Sequence, residues 1–328
     1  METKINAAFN RFNDFKILII GDVMIDAYMW GKVDRISPEA PVPIISVSNW
    51  ENRMGGAANV GLNIRALGAK AVMCAVIGND EKGEVFKRLL AKRGMTDEGI
   101  LVSDKRQTTI KTRIISDNQH LLRVDEELTE ALDPELETDF INHIDKLMDN
   151  NNFDAIIFED YDKGNITPKI IDFVVKKAGE VPTLVDPKKQ NFNDYKGVTL
   201  FKPNYKEICE GLNEEIPKGD FEALNAACNK LKQNLGAKYI LVTLSELGVF
   251  IANHESYHRV PAQVRDIADV SGAGDTVISV AACCLAAGMN PDEIAGISNL
   301  AGGLVCEKVG VVPIQKELLQ TEAVKFFK

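Results

Sequence analysis

Five short apolar runs constrain this chain more than any other feature. They are KILIIGD (16–22), AVMCAVIG (71–78), DAIIFED (154–160), PTLVDP (182–187) and KYILVTL (238–244). Each has the length of a strand and little alternation of polar residues, which is the pattern of strands buried on both faces in a parallel sheet. Helix-type patterns lie between them. Val60, Ile64 and Leu67 share a face that Gly68 ends; Leu136, Phe140, Ile144 and Leu147 make a longer stripe. Thr167-Pro168 reads as an N-cap and first turn, followed by Ile171, Val174, Val175 and Ala178 and stopped by Gly179. Phe221, Leu224, Leu231 and Leu235 repeat the pattern before Gly236. This rhythm predicts an α/β three-layer sandwich around a mostly parallel sheet. Ligands in such folds bind at the carboxyl ends of the strands. Those ends are Gly21-Asp22, Gly78-Asn79-Asp80, Glu159-Asp160, Asp186-Pro187-Lys188 and Thr243-Leu244-Ser245, so polar groups collect along one edge.

Two stretches stand outside the rhythm. PVPIISVSNW (41–50) and TTIKTRIISDNQHLLRVDEE (108–127) read as strands and a hairpin, the second reversing at Asp117-Asn118 with Lys111 and Arg113 on one face. They are expected to form one small β lid, from about 29–52 and 106–127, on a single domain of residues 1–328. Apolar residues on both faces of 41–50 (Val42 and Ile44 against Ile45 and Val47) predict a homodimer in which lids cover one another.

A formal charge of −10 without a basic stripe argues against a nucleic-acid partner. The longest apolar stretch, Val277–Met289, is about thirteen residues, too short to span a bilayer, and no signal peptide is evident, so a cytoplasmic location is expected without a membrane partner. Six scattered cysteines contain no C-x-x-C and are expected to be reduced, mostly buried thiols.

SGAGDTV (271–277) sets Asp275 behind bare backbone at the start of an apolar helix pattern, where unpaired N–H groups favour an anion. GDVMID (21–26) leaves Asp22 and Asp26 past the first strand, and carboxylates accept well from sugar diols. GGAANVGLN (55–63) is a second glycine-led helix start; it reads either as tight packing or as room for a polyhydroxylated ligand beside Asn59. KPNYKE (202–207) spaces Asn204 and Glu207 one turn apart, toward a hydrated magnesium ion or simply as a helix-start acid. HESYH (254–258) matches a zinc motif that works on a helix, but its flanks are β-type. A diol edge, a cation pair, an anion-binding helix start and a carboxylate at its mouth are together the parts of phosphoryl transfer to a hydroxyl.

GGAANVGLNIRALGAKAVMCAVIGNDEKG (55–83) and DVSGAGDT (269–276) resemble the two signatures of the ribokinase-like (PfkB) carbohydrate kinases, in that family's order and over nearly the whole chain. GDVMIDAYMWGKVDRISPEAPVPI and EDYDKG resemble its heptose 7-phosphate kinase branch, with RISPEAPVP (35–43) the most distinctive stretch. The resemblance implies phosphorylation by ATP of the C1 hydroxyl of D-glycero-β-D-manno-heptose 7-phosphate, on the route to ADP-heptose and the lipopolysaccharide core. Ribokinase, fructokinase or phosphofructokinase activity is the alternative. No H-x-G-H occurs before Lys328, so the form without a C-terminal nucleotidyltransferase domain is expected. By resemblance, Asp275 is the general base and the N–H groups of Gly272, Ala273 and Gly274 form the anion hole. Asn204 and Glu207 act near Mg2+ and the ATP phosphates; Thr243, Ser245, Gly248 and Asn299 border the nucleotide. Asp22, Asp26, Gly55, Gly56, Asn59 and Lys163 face the sugar, and Asp269 is a ligand for a monovalent cation such as K+. Lys111, Arg113 and Arg123 are the expected 7-phosphate clamp, because guanidinium groups pair bidentately with phosphate.

Overall fold

The computed structural model describes residues 2–117 and 119–328. Helix α1 (Glu2–Arg11) leads into β1 (Lys16–Gly21), β2 (Val23–Ile36), β3 (Pro43–Gly56), α2 (Ala57–Ala66), β4 (Lys70–Gly78), α3 (Glu81–Lys92) and β5 (Ile100–Ser103). Next come β6 (Ile110–Ser116), β7 (Gln119–Glu126), α4 (Pro134–Asp149), β8 (Ala155–Glu159), α5 (Pro168–Ala178), β9 (Thr183–Asp186) and β10 (Leu200–Phe201). The chain finishes through α6 (Tyr205–Leu212), α7 (Phe221–Leu235), β11 (Tyr239–Thr243), β12 (Val249–Ala252), β13 (Tyr257–Val260), α8 (Ala273–Ala286), α9 (Pro291–Cys306) and α10 (Lys316–Phe326).

All five apolar runs became central strands. The main sheet has the order β13-β12-β11-β10-β9-β8-β1-β4-β5, parallel from β5 to β11, with β12 and β13 antiparallel at one edge. Strand periodicity sorts β1 between two cores: Ile17 and Ile19 face α1, α2, α8 and α9, while Leu18 and Ile20 face α4, α5 and α7. Helix ends follow local chemistry. Thr167 accepts from the Ile170 N–H before Pro168, and Gly236 closes α7 in the left-handed conformation at φ +66°.

The second sheet has the order β3-β2-β6-β7. Its strands reach further toward the core than expected: β2 starts at Val23, and β3 runs to Gly56. The reversal expected at Asp117-Asn118 falls partly outside the described residues; Asp117 has φ +48°. Register gives the lid two unlike faces. One carries the row Glu51–Tyr28–Arg113–Arg123, and the other the row Trp50–Met29–Ile114–Leu122. RISPEAPVP runs from the end of β2 through a largely exposed turn into the start of β3.

HESYH lies across the β12–β13 hairpin, where the Asn253 side chain accepts from the Glu255 and Ser256 N–H groups. His254 is in the turn and His258 in β13, both exposed, so they do not share a helix face. The six cysteines are free thiols, five buried and Cys209 half-buried. No helix among the described residues is long and apolar enough to cross a membrane.

Candidate active site

Asp275 is the third residue of α8, whose N-cap Gly272 is left-handed at φ +76°. Its carboxylate is buried and held on both sides. Asn59 Nδ2 donates to Oδ2 at 2.7 Å, and the Tyr161 hydroxyl donates to Oδ1 at 3.0 Å. Asn59 comes from the first turn of α2 and Tyr161 from the loop after β8, so three elements converge on one group. The field of a helix N-terminus favours an ionised carboxylate. Burial instead pushes the Asp275 carboxyl above the ordinary carboxylate range, with Asp186 adding to the rise and the Asn59 and Tyr161 hydrogen bonds opposing it. Desolvation therefore outweighs the local donors.

Two of the three expected anion-hole donors remain available. The Ala273 N–H bonds back to Val270 O at 3.3 Å, whereas Gly272 and Gly274 have no such backbone partner. A Cβ on Gly274 would sit 3.5 Å from Lys202 Nζ and 3.6 Å from Asp186 Oδ2. Lys202 is thus a cation at the mouth of α8, paired with Asp186 at 2.7 Å and buried with it. Sequence reasoning did not single out Lys202, Asp186, Glu159 or Tyr161 for roles. The signal was present, because Glu159 and Asp186 terminate β8 and β9 on the polar edge.

The sugar-side expectations divide. Asp22 is fully buried, and its oxygens accept from the N–H groups of Tyr161 (2.8 Å), Lys163 (3.0 Å) and Asn165 (3.1 Å) and from Asn165 Nδ2 (3.0 Å). A carboxylate offers about four lone-pair sites, so Asp22 fastens the 161–165 loop and has no capacity left for a diol. Asp22→Ala should therefore destabilise the fold, each orphaned N–H costing about 1–3 kcal/mol, and chemical denaturation will read this directly. Gly55 supports the tight-packing reading, since a Cβ there would meet Asp26 Oδ2 at 2.1 Å. Gly56, at φ +59°, turns β3 into α2.

The clamp is not a set of free cations. Arg113 bonds Asp26 at 2.5 Å, Lys111 bonds Asp125 (2.9 Å) and Glu127 (2.6 Å), and Arg123 bonds Asp125 at 2.9 Å. Lys163 is paired with Glu127 at 2.9 Å. Asp125 and Glu127, from β7 and the residue after it, compensate Lys111, Arg123 and Lys163, while Asp26 of β2 compensates Arg113. Two guanidinium groups do converge: Arg53 and Arg113 lie 4.7 and 5.2 Å from the Tyr28 ring centre. Arg53 was not anticipated, because a β-strand residue reveals its face only once register is known.

On the nucleotide side, Asn204 and Glu207 form a reciprocal capping box at the start of α6, with contacts of 2.9 and 2.8 Å. Glu207 Oε1 also receives Lys188 at 2.8 Å. The pair is rigid, and its main oxygens are occupied, so it fits a cation held through water and not by direct ligation. Thr243 bridges to Asn204. Ser245 and Gly248 turn the chain at φ +53° and +89°, and Asn299 Nδ2 holds the loop after β13 through Pro261 O at 2.9 Å. Asp269 accepts from the N–H groups of Ser271 (2.9 Å) and Gly310 (3.0 Å); the Ser271 bond leads in holding its carboxyl below the usual range.

Comparison with known proteins gives the family and the fold. The model of the pfkB family of carbohydrate kinases matches residues 14–317. Proteins named bifunctional protein HldE are similar: that of Trichlorobacter lovleyi is 37% identical over 93% of this chain and 62% of its own length. That of Citrifermentans bemidjiense is 36% identical over 97% and 65%, and that of Campylobacter jejuni subsp. doylei 40% over 91% and 62%. The chain therefore spans a little under two thirds of these relatives. Escherichia coli phosphofructokinase-2, solved in complex with potassium, shares the fold with a TM-score of 0.76 at 16% identity, covering 96% of this chain and 99% of that one. Arabidopsis thaliana ribokinase, complexed with ribose and ATP, gives 0.71 at 18% identity over 95% and 99%. The motifs at both ends of the site, the doubly covered parallel sheet with its small second sheet, and the family match over most of its length place this chain in the pfkB family of carbohydrate kinases.

Proposed function

We propose that this protein transfers the γ-phosphoryl group of ATP to the C1 hydroxyl of D-glycero-β-D-manno-heptose 7-phosphate, giving the 1,7-bisphosphate on the route to ADP-heptose and the lipopolysaccharide core. The carrying observation is Asn59. Its Nδ2 holds Asp275 while its Oδ1 is buried without a partner, an acceptor waiting for a hydroxyl beside the base. The sugar oxygen gives its proton to Asp275 and attacks the γ-phosphorus; the bond to the β-phosphate oxygen breaks and ADP leaves. The free N–H groups at the start of α8 and the Lys202 ammonium beside Gly274 would stabilise the charge that gathers on the transferring group. Magnesium arriving with ATP would neutralise the β- and γ-phosphates, and Asn204 and Glu207 would hold its waters. Asp269, kept ionised by its N–H partners, is the proposed ligand for potassium, consistent with the potassium complex of the phosphofructokinase-2 neighbour.

The heptose assignment rests on the resemblance of residues 21–44 and 159–164, on relatives named HldE, and on Arg53 and Arg113 meeting over Tyr28 as the surviving candidates for the 7-phosphate. A coupled ADP-release assay over a panel of sugars and sugar phosphates tests it. Turnover is expected with the heptose 7-phosphate well above the unphosphorylated heptose; preference for ribose or a fructose phosphate would reassign the acceptor.

The apolar lid face supports a homodimer through the lid. Trp50, Leu122 and Val124 are 49%, 56% and 42% exposed on it. Light scattering at micromolar concentration should give a dimer, and Leu122→Asp should yield monomer with its core intact. A wild-type monomer would rule the assembly out.

A further inference from the structure

Behind Asp275 lies a group that the transfer scheme does not use. Oxygens of Glu159, Asp186 and Asp275 lie within 4.8 Å of one another, and all three residues are buried. Asp186 is paired with Lys202, and Asp275 is held by Asn59 and Tyr161. Glu159 is 1% exposed, and its Oε2 has no hydrogen-bond partner. Three buried carboxylates thus share one close lysine, an arrangement that cannot keep all three charges at neutral pH without further compensation.

We propose that Glu159 is a positioning residue for Asp275 that carries a proton in the working enzyme, filling the space behind the base without adding charge, and that its ionisation ends activity on the alkaline side. The surroundings fit. β1 presents only Gly21 beside it. The end of β9 contributes Asp186 and Lys188, the residue after β10 is Lys202, and α8 contributes Asp275. Burial raises the Glu159 carboxyl well above its usual range, the charges of Asp186 and Asp275 raise it further, and Lys202 and Lys188 oppose them. When Glu159 releases its proton to solvent base at high pH, a new negative charge appears beside the path of the ATP phosphates. Repulsion there should raise the KM for ATP.

The direction of the stability effect follows from linkage. A carboxyl whose folded pKa is raised stabilises the fold below its unfolded pKa, and that stabilisation is lost as pH rises toward the folded pKa. Wild-type Tm should therefore fall across this window, and E159Q, which cannot ionise at this position, should fall less, keeping the shares of Asp275 and Asp22, whose carboxyls burial also raises. In wild type, kcat/KM for ATP should drop about tenfold per pH unit beyond the ionisation, while the E159Q profile continues flat past that point. The infrared carbonyl stretch of a protonated carboxylic acid, seen in wild type at neutral pH and missing from E159Q, reads the same proton without turnover. The rate measurement rests on the kinase reading; the Tm and infrared measurements do not, so the two ideas fail separately. An unchanged alkaline limb in E159Q, or no protonated carboxyl in wild type, overturns the proposal. So does loss of Mn2+ binding in E159Q without change in the limb, which would make the cluster a metal site.

Discussion

Asp275→Asn lowers kcat by about 10²–10⁴, the usual range for loss of a general base, while the ATP dissociation constant moves little. The substitution keeps the shape of the side chain. Its amide oxygen can accept from Tyr161, and its NH2 group can donate to Asn59 Oδ1, which is unpartnered now, once that amide rotates. Stability should therefore change little, or improve, because a buried charge has gone. ATP binding survives because the N–H groups of α8 and Lys202 remain. The pH dependence carries the same signature. Asp275 is a base only when ionised, and burial raises its carboxyl, so wild-type activity should be lost as pH falls through a value above the ordinary carboxylate range. A variant retaining more than about a tenth of wild-type kcat, with chemistry rate-limiting, would show that another group takes the proton.

Lys202→Met is expected to give the largest loss of stability. Lys202 is 2% exposed, and its ammonium lies 2.7 Å from Asp186. Removing one member of a buried ion pair strands the other, at a cost of about 3–5 kcal/mol. The same change removes the cation nearest Gly274, so turnover should fall as well. The double variant Lys202→Met, Asp186→Leu separates the two effects. Replacing both members by apolar groups should restore much of the stability and none of the activity. Recovery of activity in the double variant would confine Lys202 to a structural role, and urea denaturation alongside kcat distinguishes the cases.

Strand runs such as KILIIGD and DAIIFED were legible because a doubly covered strand is apolar at every position, and that pattern survives without any knowledge of partners. The helix start that carries Asp275 was legible because glycines ahead of an apolar helix pattern advertise free N–H groups; the role of base comes from the family resemblance alone. What failed was pairing. Asp22 looked like a free strand-end carboxylate, yet a loop some 140 residues later takes up its oxygens. Lys111, Arg113 and Arg123 were expected as a clamp of free cations, whereas Asp26, Asp125 and Glu127 pair with them across the lid and Arg113 alone of the three meets a second guanidinium, that of Arg53. Lys202, given no role within KPNYKE, is a buried counter-ion to Asp186. Each difference has one cause: a sequence shows which groups can ionise, but only register and long-range contact show what neutralises them.

The lid has almost no linker. Only Asp22 separates β1 from β2, and β3 passes straight into α2. The two legs are joined at their base, where the Ala57 N–H donates to Asp22 O at 3.0 Å and Val23 pairs with Gly56. Mechanically this is a cantilever clamped at its root. Such a beam deflects most at its tip, around residues 37–42, and least where it is fixed. Asn59, the residue that holds Asp275, lies three positions beyond that root. On the proposed mechanism, bending of the lid tip would leave the Asn59–Asp275 contact undisturbed, so that a sugar could enter and leave with the proposed proton acceptor still aligned.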